Sequence, residues 1–163
     1  MFPNARSAAA TSPKPSLTIT RKLPVPPDRC FRAWTDPEAL RGWFGPDQME
    51  IVRAETDPRV GGRYRVVMRS QDGEEHDVSG EFREVVANRK LVFTWAWRST
   101  PERQSLVTVE FVPEGAATAL TLTHEQFADE AARDRHQHGW TGSLGKLAVF
   151  VESSFAQVRQ GRL

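Results

Sequence analysis

From residue 49 to residue 125 the chain is a succession of alternating apolar and polar segments closed by turn-forming residues, and from 129 to 158 it runs on without a proline. Strict alternation sends successive side chains to opposite sides of a strand, so such strands joined by short turns form an antiparallel meander with one buried face. Six strands fit, near 49–54, 61–70, 75–87, 90–98, 103–113 and 117–125, with Gly61 and Gly62, Asp72 and Gly73, Asn88, Pro101, and Glu114 and Gly115 at the turns. In phase, Tyr64, Val66 and Met68 share a side, as do Phe93, Trp95 and Trp97, then Val107, Val109 and Phe111, then Leu120, Leu122 and His124. Arg63, Arg65, Arg69, Thr108, Glu110, Thr121 and Thr123 occupy the other sides. One face is greasy and has to be covered.

The cover is the final segment. From Asp129 to Val158, the residues Trp140, Leu144, Leu147, Val151 and Phe155 recur at the spacing of one helix face. Such a helix is roughly 45 Å long, longer than any of the strands, so it lies across the whole sheet. Gly139, Gly142 and Gly145 sit within it, each costing up to about 1 kcal/mol relative to alanine. Close approach of helix to sheet and room for a bound molecule are the two compensations open to them.

Ahead of the meander, Leu17, Ile19 and Arg21 alternate with Thr18, Thr20 and Lys22, a first strand stopped by Pro26 and Pro27. Pro27 and Asp28 open a short helix over Cys30, Phe31 and Trp34. Asp36 caps a second, with Pro37 and Glu38 in its first turn and Leu40, Trp43 and Phe44 buried before Gly45 and Pro46 end it. At 163 residues there is material for one core. The expected fold is α+β, a curved antiparallel sheet of about seven strands wrapped around a long C-terminal helix, with two short helices after strand one. The domain is expected to span 17–158, with a disordered tail over 1–16, rich in Ala, Ser and Pro, and a C-terminal tail over 159–163.

Lys and Arg number 22 against 21 Asp and Glu, so no field draws in nucleic acid. The basic excess before residue 36 (Arg6, Lys14, Arg21, Lys22, Arg29 and Arg32 against Asp28) reads as a solvated end. A single cysteine, Cys30, excludes a disulfide scaffold and a cysteine-rich zinc site. With neither a membrane-length apolar run nor a signal-peptide pattern, a cytoplasmic location without stable membrane insertion is expected.

No hydrolase or metalloprotease signature contains any of the four histidines. Asp134 and His138 share a helix face but supply only two ligands, and Glu74, Glu75, His76 and Asp77 read as a solvated hairpin end after an Asp-Gly turn. No metal, cofactor or catalytic residue is assigned. His124 puts an ionisable ring at the edge of an apolar face, either as a polar anchor for a ligand or as a histidine bonded to backbone or a neighbouring side chain. The aromatic stock converges on the same face, and Trp and Tyr suit a cavity that orients an amphipathic guest.

Several motifs in register, WTDPEALRGWFGP (34–46), DPRVGGRYRVVM (57–68), DGEEHDVSGEFREV (72–85), LVFTWAW (91–97), VTVEF (107–111), TALTLTHEQF (118–127) and HQHGWTGSLGKL (136–147), resemble the activator of Hsp90 ATPase homologue family of the START-like (SRPBCC) superfamily. Asn88-Arg89 stands where that family usually carries a proline. The resemblance implies the helix-grip fold. In the wider superfamily lipids, sterols, polyketides and other hydrophobic molecules bind between sheet and long helix, and a few members catalyse cyclisation or hydrolysis there. The eukaryotic namesake is a co-chaperone with an additional N-terminal domain for chaperone contact, for which this chain is expected to have no room, and a role in the stress response is the corresponding expectation.

The leading expectation is a binding domain for a small hydrophobic or amphipathic molecule, with Trp43, Tyr64, Phe82, Phe93, Trp95, Phe111, Leu122, Trp140 and Leu144 supplying contact area and His124 the anchor. The alternatives are a protein-interaction module that modulates a chaperone or another ATPase, with chaperone or homodimer contact, and a cyclase or lyase using the same cavity and His124.

Overall fold

The alternation read from the sequence is realised as seven strands, β1 (Leu17–Leu23), β2 (Glu50–Thr56), β3 (Arg63–Arg69), β4 (Glu75–Val86), β5 (Lys90–Trp97), β6 (Ser105–Glu114) and β7 (Ala117–Glu125). A computed structural model describes residues 14–161 of the chain. Two short helices, α1 (Pro27–Thr35) and α2 (Pro37–Trp43), follow β1, and the long α3 (Glu130–Gly161) closes the chain. All neighbouring strands pair antiparallel in the order β1-β7-β6-β5-β4-β3-β2, so the first strand joins the last at one edge and β2 forms the other. This is the helix-grip architecture.

Strand ends moved by a few residues from those expected. Gly61, at φ 85°, belongs to the turn, so β3 starts at Arg63. Turns bonded through Thr100 N to Trp97 O and Arg103 N to Thr100 O delay β6 to Ser105. The long helix continues through Gly161, beyond the expected end at 158. Residues 1–13, which hold most of the expected N-terminal tail, and residues 162–163 lie outside the described residues, while 159–161 of the expected C-terminal tail belong to α3.

Local chemistry explains the short helices. Asp36 accepts the backbone N–H of Glu38 at 3.0 Å and Pro37 supplies the first helical φ, as its sequence promised. Trp34 from α1 and Trp43 from α2, 4% and 1% exposed, enter the grip together, and Trp34 packs on Trp43, Phe93 and Phe111. Trp43 anchors itself by donating its indole N–H to Ala33 O at 3.0 Å. Trp34 stacks on Trp140 of α3 at 5.9 Å between ring centroids, so the helices are tied to the grip through large apolar surfaces.

The close helix approach that glycine permits falls on α2. A Cβ on Gly42 would stand 2.3 Å from the Phe150 ring of α3. The glycines of α3 itself are not squeezed: a Cβ on Gly139 would meet nothing within 4 Å, and those on Gly142 and Gly145 would make ordinary contacts at 3.9 and 3.6 Å. Close helix-to-sheet packing is therefore not their compensation.

Candidate functional site

Filling the deep half of the grip with Trp34 and Trp43 leaves a void of only about 20 Å³ there, lined by Trp34, Leu40, Phe44, Thr56, Tyr64, Phe82 and Phe93. The open space lies at the other end, where the N-terminal turns of α3 cross the ends of β4 and β5. Two adjoining lobes share His76, Trp95, Trp97, Arg135 and His136 as a common wall. The apolar lobe, about 340 Å³, adds Phe44, Met49, Met68, Gly139 and Trp140. The polar lobe, about 680 Å³, adds the hairpin residues Glu74, Glu75 and Asp77, with Arg98, Arg103 and Ser105.

Of the ten residues expected at the site, the structure brings Trp95 and Trp140 together on this cleft, 5.1 Å apart between ring centroids. Tyr64, Phe82 and Phe93 meet only the small void. Trp43, Phe111, Leu122, His124 and Leu144 are at most 1% exposed and line neither lobe; Phe31 and Trp34 of α1 cover Phe111, and Trp95, Phe127, His136 and Trp140 enclose His124.

The wall is an aromatic nest held by two tryptophan–histidine pairs. Trp140 Nε1 donates to His124 Nδ1 at 3.0 Å. An indole N–H can only donate, so Nδ1 of His124 is an acceptor, its proton is on Nε2, and Nε2 donates to Ser105 Oγ at 2.7 Å. Ser105 Oγ then donates to Trp95 O at 3.3 Å, closing a chain from α3 through β7 and β6 to β5. In the second pair Trp97 Nε1 donates to His136 Nε2 at 2.9 Å, and His136 Nδ1 donates to Ala132 O at 2.7 Å. Phe127 packs against both imidazoles, at 4.2 Å from His124 and 4.9 Å from His136. Trp95, 5% exposed, faces both lobes, and its own indole N–H has no acceptor among the described residues.

His124 is thus the internally bonded histidine of the two readings, with no ring nitrogen left for a guest. Burial first, and the neighbouring His136 second, push its pKa down to about 2. A proton on Nδ1 would also confront the Trp140 N–H, donor against donor. Burial lowers His136 too, opposed by its bond to Ala132 O and reinforced by Arg135.

These shifts make folding pH-dependent. An unfolded histidine takes up its proton near pH 6.5, whereas folded His124 stays neutral down to about 2. Its contribution is fully present above pH 6.5 and drains as pH falls, at up to about 1.4 kcal/mol per unit. His136 adds in the same direction. Urea unfolding at pH 7, 6 and 5 is expected to lose about 2 kcal/mol over that range, above the window where Asp72 and Asp77, held low by Ser70 and Arg65, begin to contribute. A flat profile would contradict the neutral-imidazole assignment.

Sequence reasoning passed over three parts of the cleft. The hairpin Glu74–Asp77, whose Glu74 and Glu75 are exposed as expected of a solvated end, also borders the polar lobe, where Asp77 is gripped by Arg65 through two bonds of 2.8 and 3.1 Å. Trp97 and His136 were not assigned to a site. The spacing of His136 and Trp140, four apart on one helix, is the signal that could have placed them side by side. Among the described residues no group of three or more His, Cys, Asp or Glu side chains is arranged to hold a metal ion, and no helix is long and apolar enough to cross a membrane.

Comparison with known proteins places most of the grip in one family. The family described as Activator of Hsp90 ATPase homolog 1-like protein matches residues 24–152. Activator of 90 kDa heat shock protein ATPase homolog 1 of Homo sapiens is 27% identical over 139 residues, covering 83% of this chain and 36% of its own length. The chain therefore spans about a third of that curated relative. Among solved structures, the AHSA1 protein from Silicibacter pomeroyi is 29% identical with a TM-score of 0.77, covering 86% of this chain and 99% of that one. A protein from Chromobacterium violaceum is 28% identical with a TM-score of 0.78, covering 84% and 96%. With the matched residues running from just after β1 into the second half of α3, the chain belongs to the Activator of Hsp90 ATPase homolog 1-like family.

Proposed function

We propose that the domain binds a small hydrophobic or amphipathic molecule in the two-lobed cleft at the N-terminal end of α3. The observation that carries this reading is the apolar lobe, a space of about 340 Å³ walled by Phe44, Met49, Met68, Trp95 and Trp140 beside a larger polar one. That size is in the range of small-molecule sites. Methionine side chains at the wall adapt to guests of different outline. The contact residues are Trp95, Trp97, Trp140, His136 and the two methionines, rather than the wider set expected from the sequence.

Gly139 supplies the test, because it lines the apolar lobe and a Cβ there meets nothing. Gly139→Ala is expected to raise stability by about 0.5–1 kcal/mol through helix propensity alone, measured by urea unfolding. Gly139→Leu fills the lobe and is expected to abolish the fluorescence enhancement of the uncharged probe N-phenyl-1-naphthylamine while the protein stays folded. Equal probe binding by Gly139→Leu and the parent would sink the reading. Trp95→Ala is a poorer test, since Trp95 packs on Phe44, Trp97, His124, His136 and Trp140 and its removal threatens the fold itself.

The second reading, a protein module that modulates a chaperone ATPase, is favoured by the similarity to the human activator over 83% of this chain. It predicts that the purified domain changes the ATPase rate of an Hsp90-type chaperone. A cyclase or lyase using His124 as its base draws no support from a ring whose pKa is near 2 and whose two nitrogens are committed.

A further inference from the structure

The charges around the cleft are unequal in their freedom, and this specifies the guest. On the acidic side, Asp77 is held by Arg65 at 2.8 Å and faces Arg98 at 3.8 Å, Glu75 is held by Arg69 at 3.0 Å, and Glu74 approaches His76 at 3.7 Å. On the basic side, Arg103 faces Asp129 at 3.7 Å. Arg135 alone among the arginines of the cleft makes no side-chain hydrogen bond or ion pair among the described residues, and it lines both lobes, at the junction of apolar and polar walls. Arg65 and Arg69, which stand outside the cleft lining, hold Asp77 and Glu75; Glu74 faces only His76 among the described residues, a ring that carries charge only when protonated, and it lines the polar lobe alone, so the free charge presented at the apolar lobe is positive.

We propose that the cleft selects an amphipathic anion, with its apolar part against Met49, Met68 and Trp140 and its negative head on the Arg135 guanidinium. This rests on the reading above, that the cleft takes a guest at all. A guanidinium fork offers paired N–H donors to a carboxylate or a comparable oxyanion. It sits one turn of α3 before Gly139, on the helix stretch that opens the apolar lobe, so one molecule can reach both.

The test compares three ten-carbon amphiphiles below their micelle concentrations, decanoate, decan-1-ol and decyltrimethylammonium, titrated by calorimetry and by the fluorescence of the cleft tryptophans. Decanoate is expected to bind up to about fivefold more tightly than decan-1-ol, the size of an exposed charge pair, and the cation more weakly than either. Arg135→Gln is expected to bring decanoate to the level of decan-1-ol and to leave decan-1-ol unchanged. Equal binding of the acid and the alcohol by the parent, tighter binding of the cation, or a decanoate preference that survives Arg135→Gln would overturn the inference while leaving the cleft as an apolar site. Failure of all three to bind would overturn both.

Discussion

Gly80→Ala is expected to destabilise the domain by about 3 kcal/mol or more, lowering the thermal midpoint by about 10 °C. Gly80 lies in β4 where the strand crosses Thr94 of β5, and a Cβ there would stand 1.9 Å from the Thr94 carbonyl oxygen, 2.6 Å from its carbon and 2.7 Å from the Tyr64 ring. The obstacle is backbone, which cannot swing away as a side-chain tip can. Thr94 is also pinned from two sides, its carbonyl accepting the buried Tyr64 hydroxyl at 2.5 Å and its Oγ1 accepting the Glu81 N–H at 2.8 Å. Moving it would strand the phenol in a site whose burial already drives its pKa well up. Urea unfolding should report a lower midpoint at unchanged slope, and a loss below about 1 kcal/mol would mean that β4 and β5 can slide apart at this crossing.

His124→Ala is expected to cost about 4 kcal/mol, a large part of the 5–15 kcal/mol that holds a domain together. The ring is fully buried, between Leu17 of β1 and Val107 of β6 in the sheet register, so its removal leaves a cavity. It also leaves the Trp140 indole N–H without its acceptor inside the protein. His124→Gln can offer an oxygen to Trp140 and an amide N–H to Ser105, and is expected to recover about 2 kcal/mol of the loss. Equal destabilisation by Ala and Gln would assign the cost to volume alone.

The architecture was legible because its signals are local. Alternation through Phe93, Trp95 and Trp97, the Asp36-Pro37-Glu38 start and the long proline-free segment each report on a few adjacent residues, and each became the element expected. The location of the cleft was not legible, because it depends on which side chains from distant elements reach the same volume. Phe93 and Trp95 sit on the same side of one strand, two residues apart, yet Trp34 packs on the first and shuts off the deep grip while the second stays at the cleft wall. Alternation tells the side of a sheet and is silent on what stands opposite. The tautomer of His124 was out of reach for the same reason, since it is set by a donor on α3 and an acceptor on β6.

The backbone N–H of Phe127 donates to Pro15 O at 3.2 Å, and Phe127 borders the polar lobe. The polypeptide thus enters its fold at the rim of the cleft and departs along α3, whose 32 residues carry it roughly 48 Å away. On the binding reading proposed above, a fluorophore or surface tether joined at Lys14 would stand beside the cleft mouth and respond to a guest, whereas one placed on the far turns of α3 would not.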